Sequence, residues 1–450
     1  MKRYSYILLI FTIGVVGFAS SCSKDEVKEQ TDNAAFYPRI FNDVYLFPEY
    51  RDSVYIMKAG DTLAFRGLQF SPGDKVQVAW SVNDTPAGDG KEYFFVPQEG
   101  GDFRIKVEAS YDGMSTSRYR DVFVIPSSFT PKPYNHVVMA YASDTAQYKY
   151  LDFSKMTHLA YKVATVTAAG TMDVSKGEIY KKSDVLIGIA HVNGVPVLLG
   201  ISGTLSGDGW SVYASSNFGN ALVDIAKRTA LVAAIKEYVT AKKMDGVEIL
   251  MTDINNTTGA QTNANIQAAG LFLNELRASL GADAIITITV PGIQYAGSYP
   301  DLSAANWINV HAYEDGLHVG PGKPLGQPSG YDYFVDCAET WMAKYPKNKL
   351  VIGIPAFGLR YTALDGNGNN LGWTSYNYMP YKQILAADAT ASGKEYAEIA
   401  EGVYFNGIPL VTEKSNYLKE QGYLGAYIWA GEYDVTTEQS LTATIHNILQ

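Results

Sequence analysis

The segment Asp245-Gly246-Val247-Glu248-Ile249-Leu250-Met251-Thr252-Asp253 sets acidic residues at spacings that could support acid–base chemistry. On an extended strand alternate side chains share a face, so Glu248, Leu250 and Thr252 point one way and Val247, Ile249 and Met251 the other. General acid–base catalysis needs one carboxyl group that holds its proton and a second that stays charged. This face offers one carboxyl group only. A threonine hydroxyl is nearly as weak an acid as water, and leucine carries no charge at all. Asp253 falls on the opposite face unless a bulge intervenes. Glu314 and Glu432 also lie near the ends of apolar runs and are the other candidates for a displaced acid. Glu248 reads equally well as a structural carboxylate.

Aromatic residues gather at comparable places. Tyr141, Trp210, Tyr313, Phe357, Trp373 and Trp429 lie on or just after the ends of apolar runs, where a binding groove would be lined. An aromatic ring offers a flat apolar face, and tyrosine adds a hydroxyl, so the 33 Tyr residues suit a neutral, hydroxyl-rich ligand. For Tyr141, Trp210, Phe357 and Trp373 a place in the core explains the residue as well. A formal charge of -10 opposes nucleic-acid partners, which need concentrated Lys and Arg. Six His residues without ligand spacing give no metal site, and no cofactor is expected. Gly200, Gly203 and Gly246 read as points of close backbone packing rather than phosphate cradles.

The elements that must position these residues are legible as eight apolar runs: HVVMAY, THLAYKV, PVLLGI, DGVEILM, AIITITV, WINVHAY, KLVIGIP and YLGAYIW. Helical patterns separate most of them; across 221–239, Leu222, Ile225, Ala226, Val232, Ile235 and Val239 recur at helical spacing. Eight strands with intervening helices predict a (β/α)8 TIM barrel over 133–450, with its chemistry at the C-terminal strand ends. Loops 316–330 and 365–373 are Gly-rich and placed to set ligand choice. Cys337 lies in a helical pattern and reads as core; with Cys22 in the leader, no disulfide is expected within the mature chain.

Upstream, residues 35–127 alternate short strands with turn residues, which predicts an Ig-like or PKD-like β-sandwich with Trp80 at its centre. Residues 126–133, rich in Ser and Pro, mark the linker, and 23–34 read as a flexible tether. Residues 1–22 carry Lys2 and Arg3, an apolar run over 7–18, and small residues Ala19, Ser20 and Ser21 before Cys22. That pattern is an export signal, too short to span a bilayer. It resembles the bacterial lipobox, which implies a lipidated Cys22. Lys24, Asp25 and Glu26 are similar to the signal that sends Bacteroidetes lipoproteins to the outer face of the outer membrane.

Several strand ends together resemble glycoside hydrolase family 18, the chitinases and endo-β-N-acetylglucosaminidases. Gly200-Ile201-Ser202-Gly203 stands where the family has SxGG, and the Asp245 segment stands where it has DGxDxDxE. Tyr313 and Glu314 match its YD, KLVIGIPAFG its seventh strand, and Trp429 the Trp that floors the central sugar subsite. The resemblance implies substrate-assisted hydrolysis, in which the sugar's acetamido oxygen attacks and the last two motif acids orient it and protonate the leaving oxygen. Here those two positions are Leu250 and Thr252. The expectation is therefore a surface lipoprotein that captures N-acetylglucosamine-containing glycans for neighbouring uptake proteins without cutting them. An active glycosidase with a displaced acid, and an adhesion or scaffold protein, are the alternatives.

Overall fold

The computed structural model describes residues 37–47, 54–143, 146–203, 217–250, 259–314 and 316–450. Cys22 with its leader and tether, Trp210, Thr252 and Asp253 lie outside the described residues.

The eight apolar runs form eight parallel strands: β1 Val137–Ser143, β2 His158–Val166, β3 Val197–Ser202, β4 Gly246–Leu250, β5 Ile285–Pro291, β6 Trp307–His311, β7 Leu350–Pro355 and β8 Gly425–Trp429. They pair in the order β1-β8-β7-β6-β5-β4-β3-β2, and β2 returns to β1 with His158 opposite Met139, so the sheet closes. Strands buried on both faces lose the polar alternation of a half-exposed sheet, which is why each reads as an unbroken apolar run. Val247 and Ile249 of β4 join the outer core under the helices, while Leu250 joins an inner cluster with Tyr141, Tyr313, Tyr427 and Trp429. The expected alternation along β4 thus holds over the described residues. Gly246 is required by close approach: a Cβ there would lie 1.8 Å from the Ile285 carbonyl oxygen of the strand beside it.

The helix expected across 221–239 is two helices, Asn217–Val223 and Ile225–Lys242. Asp224 between them takes extended backbone, and its carboxylate accepts from the Ala226 and Lys227 amides at 2.9 and 3.1 Å. This is an N-cap, which satisfies amides the helix leaves open. Cys337 is fully buried on helix Tyr331–Met342, as expected of a core thiol.

Between β7 and β8 the chain adds a four-stranded antiparallel sheet, with Phe357–Tyr361 at its centre between Tyr376–Pro380 and Val403–Phe405. It rises directly from the C-terminal end of β7 and forms a wall beside the barrel mouth.

The N-terminal region is built of strands with their own apolar core. A five-stranded sheet runs Tyr55–Lys58, Met114–Ile125, Gly101–Tyr111, Gln77–Val82 and Thr85–Asp89, and two smaller strand pairs pack with it. Trp80 sits at its centre, 1% exposed, stacked on Tyr93 and donating its indole N–H to the Gly90 carbonyl at 2.9 Å.

The 126–133 segment lies against the N-terminal end of the barrel. The Phe129 ring stacks on His191 with centroids 3.9 Å apart and planes 9° from parallel. Lys132 donates its amide to the Gly194 carbonyl at 2.9 Å, and Lys243 Nζ reaches the Ser127 carbonyl at 3.2 Å. Among the described residues no helix is long and apolar enough to cross a membrane.

Candidate functional site

The described polar residues of the motif strand, Asp245 and Glu248, lie at the base and in the interior of the barrel. Asp245 sits at the base, where Oδ2 accepts from the Val197 amide at 2.8 Å and lies 2.9 Å from His191 Nε2. It ties β3, β4 and the helix Lys182–Val192 together at the end remote from the mouth. Asp245 therefore has a structural role here.

Glu248, three residues on, is fully buried inside the barrel. Tyr141 Oη donates to Oε1 at 2.8 Å and Asn309 Nδ2 donates to Oε2 at 2.7 Å, while the hydroxyls of Thr287 and Thr289 close the ring. Trp307 Nε1 in turn donates to Asn309 Oδ1 at 3.0 Å. Burial pushes the Glu248 carboxyl up to about 7, against four hydrogen bonds that favour its charged form. Buried polar groups persist only when so paired, and this layer is a satisfied network.

Leu250 lies next along the same face, fully buried among Tyr141, Tyr313, Phe357, Tyr427 and Trp429. The position that would hold an orienting carboxylate is packed in an apolar and aromatic cluster. A lone charge there would be heavily penalised by desolvation.

Trp429 ends β8, 5% exposed, and is joined to Ala430 by a cis peptide bond. Its ring lies 5.0 Å from that of Tyr141 on the neighbouring strand, with the planes 50° apart. Tyr313 follows β6 and is 1% exposed, with its ring 3.8 Å from His311 and its hydroxyl accepting from Tyr427 at 3.4 Å. Gly353 on β7 makes room for both rings: a Cβ there would fall 2.5 Å from Tyr427 and 2.8 Å from Tyr313.

The other expected residues separate into groups. Tyr141 is fully buried beside Trp429 and bonds Glu248, so it lies inside the barrel. Phe357 is buried where β7 passes into the wall, and meets Tyr313 edge-on at 5.9 Å. Trp373 stands 68% exposed on the 365–373 loop.

Of the candidate acids, Glu314 takes left-handed backbone (φ 57°) immediately after Tyr313. Its Oε2 lies 3.3 Å from His311 Nε2, and the Tyr378 hydroxyl also bonds the carboxylate. Burial, and then the Glu314 charge, push the Tyr378 phenol up. Glu432 accepts from the Ser143 amide at 2.9 Å and so caps the end of β1, while its backbone oxygen accepts from Lys382 Nζ at 2.6 Å. Burial raises its carboxyl. Among the described residues no group of three His, Cys, Asp or Glu is placed to hold a metal ion.

Sequence reasoning missed Thr287, Thr289, Asn309, His311, Tyr378 and Tyr427. The alternation of Thr with Ile in AIITITV was the available signal, because it sets both hydroxyls on one face of a run that otherwise reads as wholly apolar.

Comparison with known proteins agrees with this geometry. The family model described as glycosyl hydrolases family 18 matches residues 132–434. A chitinase-like effector from Moniliophthora perniciosa is 28% identical over 244 residues, 48% of this chain and 53% of that protein. Chitotriosidase-1 from Mus musculus is 25% identical over 268 residues, 50% of this chain and 57% of that protein. The chain thus spans about half the length of these curated relatives. Among solved structures, a chitinase from Bacteroides thetaiotaomicron shares the fold with a TM-score of 0.54 and 21% identity, over 70% of this chain and 96% of that one. A class V chitinase from Nicotiana tobaccum in complex with NAG4 gives a TM-score of 0.55 and 18% identity, over 70% and 99%.

Proposed function

The chain belongs to glycosyl hydrolase family 18, and on that premise we propose that its barrel binds chains of N-acetylglucosamine without cutting them. Leu250 is the observation that carries this reading. It occupies the motif position from which the family's carboxylate orients the acetamido group, and its side chain is buried within a cluster rich in aromatic residues. Thr252 fills the acid's place in the sequence. Glu248, the one motif carboxyl group left on that face, is committed to four partners within the barrel.

What remains suits binding. Trp429 ends β8 and Tyr313 follows β6, both at the C-terminal end of the barrel and both almost fully buried; the edge of Trp429 that remains exposed is the surface on which we seat a sugar's C–H face. The class V chitinase whose structure holds NAG4 shares this fold, which favours the same ligand class here.

The upstream region extends the proposal. Its strands around Trp80 support an Ig-like stalk, and the lipobox-like Cys22 supports anchorage at the outer membrane, facing outward. The 126–133 segment packs on the base of the barrel, so the chain enters the barrel at the end opposite the mouth, which supports an outward-facing mouth. A surface receptor that presents glycan to neighbouring uptake proteins would need that orientation.

Isothermal titration with chitotriose, followed by chromatography of the recovered sugar, tests the function. Saturable heat with intact trisaccharide supports capture. Shorter products would transfer the reading to an enzyme with a displaced acid, and absence of heat would favour a scaffold.

A further inference from the structure

We propose that Lys414, closed off from solvent and far from the mouth in sequence, positions Tyr313 and Glu314 for the glycan by locking together the two ends of the 316–330 loop. This rests on the reading of the mouth as a binder of N-acetylglucosamine chains and names what holds that site in shape.

Lysine is almost never fully buried without partners, yet Lys414 stands on the buried stripe of helix Ile408–Gln421, in line with Leu410, Val411, Ser415 and Leu418. Helical spacing calls for a hydrocarbon there. Its Nζ instead donates to the Ser329 carbonyl at 2.7 Å, to Ser329 Oγ at 2.7 Å and to Asn406 Oδ1 at 2.6 Å, which gives each ammonium proton an acceptor. All three acceptors are neutral. The Phe334 ring lies 4.9 Å from the same nitrogen, and burial pushes the amine well below the ordinary lysine value. Leucine or methionine would fill the same space without that desolvation cost.

What the three bonds join supplies the reason for a lysine. Ser329, fully buried at the returning end of the 316–330 loop, passes the contact on through its hydroxyl, which donates to the Ala312 carbonyl at 2.6 Å. Ala312 directly precedes Tyr313, and the Glu314 amide donates to the Pro328 carbonyl at 2.6 Å. The outgoing and returning limbs of the loop are thus bonded twice, Ala312 with Ser329 and Glu314 with Pro328, and Lys414 holds the returning limb. Asn406 follows wall strand Val403–Phe405 and donates Nδ2 to the same Ser329 carbonyl at 2.9 Å, so the wall is fastened at this point too.

Glu314 needs such a hold. Its left-handed backbone, at φ 57°, is costly for a residue with a Cβ and persists only where the surroundings over-determine it. Without Lys414, Ser329 Oγ and Asn406 Oδ1 lose their donor in a dry interior, and the paired limbs lose their anchor. The mouth then spends only part of its time in the binding arrangement, and apparent affinity falls in proportion to that fraction.

The test is titration of wild type, Lys414→Met, Ser329→Ala and the double variant with chitotriose, run well below each melting temperature, with thermal unfolding measured alongside. Methionine keeps the apolar stem and donates nothing; the serine variant removes the link to Ala312 and leaves Lys414 two acceptors. Affinity should fall roughly tenfold in Lys414→Met and roughly threefold in Ser329→Ala, with full stoichiometry in both. The double variant should lose little more than Lys414→Met alone, because both changes break one chain of bonds. A purely structural lysine gives a different result, a lower melting temperature and fewer binding-competent molecules with an unchanged dissociation constant. That outcome in either single variant overturns the proposal and leaves glycan binding standing. If Lys414→Met does not fold, Ser329→Ala decides by the same criterion. Failure of wild type to bind chitotriose removes both the positioning role and the reading it rests on.

Discussion

The hydroxyl of Tyr141 donates to Glu248 Oε1 at 2.8 Å inside the barrel, while its ring meets that of Trp429 at 5.0 Å. This bond joins the ring beside Trp429 to the polar layer around Glu248. It also keeps a motif carboxyl group facing inward, bonded to the barrel's own side chains.

Glu248 makes stability depend on pH in a definite direction. Its carboxyl is raised to about 7 in the folded chain, above the usual glutamate value near 4.3 in an unfolded one. Between those values the folded state holds more protons, so stability falls as pH rises through that window and levels off above it. Glu248→Gln, which cannot ionise, escapes the loss. Thermal unfolding at pH 5 and pH 8 should show wild type losing ground to the variant by a few kcal/mol. Parallel profiles would contradict the assignment.

Trp429→Ala should remove chitotriose binding by at least about tenfold and cost about 3–5 kcal/mol of stability, because a large ring is lost beside Tyr141. Trp429→Phe should keep much of both, since it retains an aromatic face. Titration combined with chemical unfolding separates the two effects.

Restoring the missing groups tests the account from the opposite side. Leu250→Asp alone should be destabilising, because it puts a carboxylate into a fully buried apolar cluster. The double variant Leu250→Asp/Thr252→Glu should release shorter oligosaccharides from chitohexaose, with the added acid contributing roughly 10²–10⁴-fold. Measured by product formation, a double variant as inert as wild type would mean that more than two residues separate this barrel from catalysis.

The stack of Phe129 on His191 should matter to the barrel base. Phe129→Ala removes a parallel ring pair worth about 0.5–1.5 kcal/mol beyond its buried area, and should lower the melting temperature without changing chitotriose affinity. A change in affinity at constant stability would show coupling between base and mouth.

Sequence and structure agree where burial leaves a continuous signature. All eight barrel strands were legible because each is covered on both faces, and Trp80 was legible as a large aromatic in an alternating strand. The break at Asp224 was not, since helical periodicity continues across it and the N-cap interrupts the backbone without disturbing the apolar pattern. For Tyr141 the sequence left core and groove open; two further residues complete its strand, and the ring lies inside. The wall was invisible because its strands are two to five residues long and pair only with one another. The polar ring around Glu248 was not legible because it depends on strand pairing: Glu248 lies beside Thr287 and Thr289 beside Asn309 on the neighbouring strands β4, β5 and β6, and closure of the barrel adds Tyr141 from β1.

The most direct test is prolonged incubation of purified protein with a large excess of chitohexaose, with every oligomer quantified by mass spectrometry. Hexamer should be recovered whole while the same preparation still binds it. Accumulation of shorter sugars over many turnovers, abolished by Glu314→Gln, Glu432→Gln or Asp253→Asn, would contradict it and identify the acid.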